Sequence, residues 1–150
     1  MDLGYELFND LATLPASHIL KAGLFDKEVN QLLGMMDVVH AGLFLHLFDW
    51  EGQKKACERM VKILKDQKGV MVLGQQLGSL TPQHVQKGPL RMFQHDAASF
   101  ERMWKEVGEI TGTEWKVTST LDYGLNVDSF EQKYNDSTTR RLVFEVERIG

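Results

Sequence analysis

The sequence predicts an α/β domain, on three observations. Two short β-branched apolar runs have the character of strands buried on both faces of a parallel sheet. Two longer stretches are strongly amphipathic with helical spacing, and two C-terminal segments alternate apolar and polar residues.

Taken in order, Leu3 to Leu14 places Leu7, Phe8 and Leu11 at helical spacing and runs into Pro15, which stops a helix. His18-Ile19-Leu20 reads as a short strand, and Asp26 caps a helix carrying Val29, Leu32 and Leu33. Asp37-Val38-Val39-His40-Ala41-Gly42 is the first buried strand. Between Asp49 and Lys68 a helix sets Ala56, Met60, Ile63 and Leu64 on one face, with Gly69 as its stop. Val70-Met71-Val72-Leu73-Gly74 is the second buried strand, so a right-handed βαβ unit is expected.

The stretch from Gln75 to His95, with Pro82 and Pro89, reads as a long irregular loop of a length that is usually functional or disordered. Asp96 then caps a second helix with Phe100, Met103, Trp104 and Val107 as its apolar stripe and Gly112 as its end. Trp115 to Leu121 and Arg141 to Glu147 alternate with period two and form a terminal antiparallel pair, joined by a polar loop around Asn126 to Thr139. Two parallel strands, two covering helices and an antiparallel edge make one domain over residues 1–150.

Composition narrows the function classes. Seventeen basic against 21 acidic residues give a net charge of −4, without the basic stripe that nucleic acid requires. The most apolar stretch, Val38 to Phe48, is too short for a membrane span and carries His40 and His46. The N-terminus has no secretory-signal pattern, so a cytoplasmic location is expected. A lone Cys57 within a helical stripe excludes a disulfide framework and reads as a core residue. No metal-ligand spacing and no Gly-x-Ser-x-Gly elbow is present, so no metal is expected.

Open α/β sheets bind ligands at the carboxyl ends of their parallel strands, which makes the residues there the candidates. His40, His46 and His95 are the candidate acid–base groups, each with the alternative of a histidine bonded to backbone or supporting a helix cap. Gln75 and Gln76 at a strand mouth, Arg91 in the loop, Trp104 and Tyr123 are the candidate substrate contacts. Core packing is the alternative for Trp104, core or rim packing for Tyr5, Tyr123 and Tyr134, and simple solvation for His84 and Arg91.

Asp37 to Gly42 followed by Leu45-His46-Leu47-Phe48-Asp49-Trp50 resembles the fourth strand and following helix of class I S-adenosylmethionine (SAM)-dependent methyltransferases. Val70 to Ser79 resembles their fifth strand and its loop. Phe93-Gln94-His95-Asp96, with Ser99-Phe100-x-x-Met103-Trp104-x-Glu106-Val107-Gly108 and Thr111-Gly112-Thr113-x-Trp115, is similar to fungal enzymes that methylate polyketide and meroterpenoid products. The resemblance implies the C-terminal part of a Rossmann-like sheet, with His40-Ala41-Gly42 bordering SAM and the loop matching Gly78 to Asp96 bordering the substrate. It also exposes a departure. The chain has 13 glycines and no G-x-G, so the glycine-rich first βαβ unit that holds the cofactor has no counterpart, and Gly23 stands where the family often has an adenine-binding acid.

Three readings follow from that departure. The first is a cofactor-independent enzyme of polyketide or terpenoid biosynthesis, cyclising or isomerising its substrate with His40, His46 or His95 in the former substrate pocket. The second is a SAM-dependent methyltransferase part completed by another chain, and the third a non-catalytic binding domain. An orphaned strand-four edge leads to the expectation of a homodimer or a complementary chain.

Overall fold

The computed structural model describes residues 22–123 and 137–150. The helix expected at Leu3–Leu14, the strand at His18–Leu20, Tyr5, Tyr134 and most of the Asn126–Thr139 loop lie outside the described residues.

Four strands form the main sheet. β1 (Val38–Gly42) pairs in parallel with β2 (Met71–Ser79), β2 is antiparallel to β6 (Thr139–Arg148), and β6 is antiparallel to β5 (Trp115–Asp122), in the order β1-β2-β6-β5. The expected βαβ unit and terminal antiparallel pair are both present, and this is the arrangement of the C-terminal portion of a Rossmann-like methyltransferase sheet. Two helices connect and cover it, α1 (Trp50–Ile63) and α2 (Ala97–Thr111). Their apolar stripes, Ala56, Cys57 and Met60 of α1 and Phe100, Met103, Trp104 and Val107 of α2, share one core with Val72, Leu142, Phe144 and Val146. Both helices therefore cover the same sheet face. The opposite face presents Val38 and His40 of β1, Val143 and Glu145 of β6, and Lys116, Thr118 and Thr120 of β5, all exposed among the described residues.

Local signals account for the helix starts. The Asp49 side chain accepts the Gly52 N–H at 2.8 Å, and Asp96 accepts the Ser99 N–H at 2.7 Å while the Ser99 hydroxyl accepts the Asp96 N–H, a complete capping box. Gly112 closes α2 at φ +70°.

Three expectations need correction. α1 ends at Ile63, not near Lys68, because Leu64 leaves the helix in an extended conformation to bridge Met36 and bury its side chain; Gly69, at φ +85°, turns the chain into β2 instead. The helix after Asp26 is a 3-10 segment, Lys27–Leu32, whose Asp26 carboxylate takes the N–H of Gly23 instead of capping; Val29 is the one of its residues that is buried. The Gln75–His95 stretch is not irregular. β2 continues to Ser79 because the ten-residue β6 pairs with it throughout, and the rest is an antiparallel hairpin, β3 (Gln83–Lys87) and β4 (Leu90–Gln94), turning at Gly88.

Candidate functional site at the end of the parallel strand pair

β1 stops at Gly42, opposite Gln75, while β2 runs on to Ser79. The backbone groups that β2 would leave unpaired are taken one after another. The Leu43 N–H donates to the Gln75 carbonyl at 2.7 Å, the Leu77 N–H donates to His46 Nδ1 at 3.5 Å, and the Ser79 N–H donates to the His95 carbonyl at 2.9 Å. Gly78 permits the last approach, since a Cβ there would meet the His95 carbonyl oxygen at 2.5 Å. A 3-10 turn, Leu45–Leu47, carries His46 and is tied down by Gln53, whose amide donates to the carbonyls of Phe48 at 3.1 Å and Phe93 at 2.8 Å.

The three candidate histidines occupy three different environments. His46 is buried, and that burial lowers its pKa, so it is neutral near pH 7. With Nδ1 accepting the Leu77 N–H, the ring proton sits on Nε2. His95 is fully buried between Trp50, Phe93 and Phe100, with ring centroids 5.1, 4.7 and 5.6 Å away, and burial pushes its pKa down to about 3 against the opposing pull of Asp96. Its Nδ1 lies 2.9 Å from the Ser99 hydroxyl of the capping box, and its Nε2 has no protein partner. His95 does sit at the strand ends, bridged to Gly78 and with its carbonyl on the Ser79 N–H, but its ring turns into the core and supports the cap of α2, the alternative reading of this residue. His40 is exposed on the sheet face opposite α1 and α2. The fold brings His46 and His95 against the same edge of β2 and leaves His40 out.

The expected substrate contacts do not converge either. Gln75 is half-buried; Gln76 is fully buried with neither amide atom bonded within the protein. Arg91 is exposed on the hairpin. Trp104 belongs to the core, as its packing alternative held, and borders a groove of about 810 Å³ between α2 and β5, lined also by Trp115, Val117 and Ile149, that contains none of the histidines. Tyr123, 56% exposed at the end of β5, has the Arg140 guanidinium 4.3 Å above its ring. Among the described residues no group of three or more His, Cys, Asp or Glu side chains is placed to hold a metal, and no helix is long and apolar enough to cross a membrane.

Leu43 and Gln53 are the site residues that sequence reasoning missed. Gln53 is a lone polar residue on the buried face of α1, a pattern visible in the sequence; the positive φ of Leu43 has no sequence signal.

No family model matches the chain. Curated relatives do. It is 43% identical over 155 residues to the O-methyltransferase atr3 of Stereocaulon alpinum, covering 99% of this chain and 44% of that protein. The chain is related to fungal biosynthetic methyltransferases. It is also 35% identical to the O-methyltransferase phiE of a fungal species (96% of this chain, 53% of that one) and to the methyltransferase ausD of Penicillium brasilianum (88% and 46%). This methyltransferase-like chain spans about half the length of these relatives.

Among the described residues, those that the resemblance sets beside SAM form no cradle for it: His40 is exposed, Ala41 buried and Gly42 without a side chain, and the sequence holds no G-x-G turn. The nearby carboxylates are engaged elsewhere: Asp37 with Lys65 at the other end of β1, Asp26 with Gly23, Asp49 at the cap of α1.

Proposed function

We propose that this chain forms the acceptor side of an O-methyltransferase acting on a fungal polyketide or terpenoid product. In this reading SAM is held by polypeptide beyond these 150 residues, whether in the same chain or in a partner docked along β1. One observation carries the reading. Among the described residues β1 is the edge strand of a parallel pair, with no strand on its outer side and Val38 47% exposed, in a chain that matches methyltransferases over only half their length. An apolar parallel strand at an exposed edge calls for a covering element. A homodimer through this edge, with exchanged elements, is the alternative cover.

At the rim, His46 is the residue suited to the acceptor's oxygen. Neutral and proton-bearing on Nε2, it donates a hydrogen bond there. The test is a chimera placing the N-terminal half of the Stereocaulon alpinum relative ahead of this chain, assayed with SAM and that relative's acceptor. His46→Ala is expected to lower turnover by about 10- to 100-fold, the scale of a lost hydrogen bond to a buried ligand group. His46→Gln, which donates but takes no proton, should recover most of it. A His46→Gln variant as inactive as His46→Ala would overturn the donor role.

A second reading, cofactor-independent cyclisation or isomerisation by acid–base chemistry, is favoured by His46 and His95 lying two residues apart along β2. It is the weaker of the two, because a His95 held near pKa 3 is a poor base at neutral pH. Turnover of the acceptor by the chain without SAM, abolished by His95→Asn, would establish it.

A further inference from the structure

We propose that Leu43 determines acceptor specificity: a left-handed backbone holds its isobutyl group outward, where it receives the carbon skeleton of an uncharged, largely apolar acceptor. The proposal rests on the O-methyltransferase reading only in calling that ligand an acceptor. Among the described residues Leu43 is the one non-glycine with positive φ, at +52°. The conformation follows from the pairing of β2, since the Leu43 N–H still bonds the Gln75 carbonyl while the chain turns off the sheet into the 3-10 turn. Glycine makes such a turn without strain.

The sequence nevertheless has leucine here, and its side chain is 54% exposed, so it contributes little to the core. Strain retained for an exposed apolar group at the carboxyl end of a parallel strand is accounted for by a ligand that uses that group.

The surroundings state the ligand's chemistry. Gly42 to Phe48 contains no formally charged side chain. Leu43 and Leu47 are exposed, and half-buried Phe44 and Phe48 stack edge to face at 5.2 Å, with Phe25 a further 6.1 Å from Phe48. His46 adds a single N–H donor. Such a rim suits a ring system bearing few oxygens and offers nothing to a phosphate or a sugar.

The test uses the chain as expressed, with 1-naphthol as probe, its binding followed by fluorescence and the thermal midpoint measured in parallel. Leu43→Gly is expected to weaken naphthol binding about tenfold, the scale of one lost leucine contact, and to move the midpoint by no more than about 2 °C, since relief of strain offsets the flexibility of glycine. Leu43→Met should bind within about threefold of the parent, because it restores apolar area. Failure of the parent to bind naphthol, or Leu43→Gly binding within twofold of it, overturns the proposal. So does a midpoint fall above about 5 °C, which would make the leucine structural. Loss of self-association in Leu43→Gly with naphthol binding unchanged would assign the face to a second copy and overturn it equally. No methyl transfer is read in these arms. Failure of the O-methyltransferase reading would appear separately, as a chimera that binds naphthol but transfers no methyl group.

Discussion

Two residues set the terms on which the strand-end site exists, and each makes a measurable prediction. Gly74 faces the core beneath Phe144, where a Cβ would press on the Ala41 carbonyl of β1 and lie 2.7 Å from the Phe144 ring. Gly74→Ala should therefore destabilise the protein by about 3 kcal/mol, the upper range for overpacking, read from chemical denaturation. His95 makes the second prediction. Its folded pKa of about 3 lies below the ordinary value of 6.5, so the unfolded chain binds the extra proton. Stability is accordingly full above pH 6.5 and is lost as pH falls from 6.5 toward 3, at up to about 1.4 kcal/mol per pH unit. A His95→Asn variant, titrated by thermal melts between pH 7 and 5, should show a flatter profile than the parent. An equally steep profile would remove His95 as its source.

At the scale of elements, what the sequence revealed was whatever local chemistry decides. Asp49, Asp96 and Gly112 announce helix ends within one turn of chain, and they sit at those ends in the structure. Asp96→Ala is expected to cost about 1 kcal/mol, measured by thermal denaturation, through loss of the capping box. The hairpin Gln83–Gln94 was not legible, because its strands are five residues each, without a sustained alternation of buried and exposed positions, and are defined by pairing with each other, with only Gly88-Pro89 marking the turn. The extension of β2 to Ser79 was hidden for a related reason: β6, some 65 residues away, supplies the partner. The site shows the same division. His46 was visible as a residue type at a strand end, but the Leu77 N–H that fixes its tautomer is not local; for His95 the place at the strand ends was legible, while the inward turn of its ring depends on Trp50, 45 residues away, closing over it with Phe93 and Phe100.

For the whole molecule, the proposal joins two observations: β1 is an edge strand among the described residues, and the chain spans about half the length of the methyltransferases it matches. If that edge is covered in solution by a second copy, gel filtration at micromolar concentration should show a dimer, and Val38→Lys should convert it to monomer by placing a charge on the edge. A monomer in the parent leaves docking to a different polypeptide as the cover. The central claim is that the chain carries the acceptor side of a methyltransferase without its cofactor side, and calorimetric titration with SAM tests it most directly. No saturable heat is expected for the chain alone, and binding once the relative's N-terminal half is fused ahead of it; micromolar binding of SAM to the chain alone would contradict the proposal.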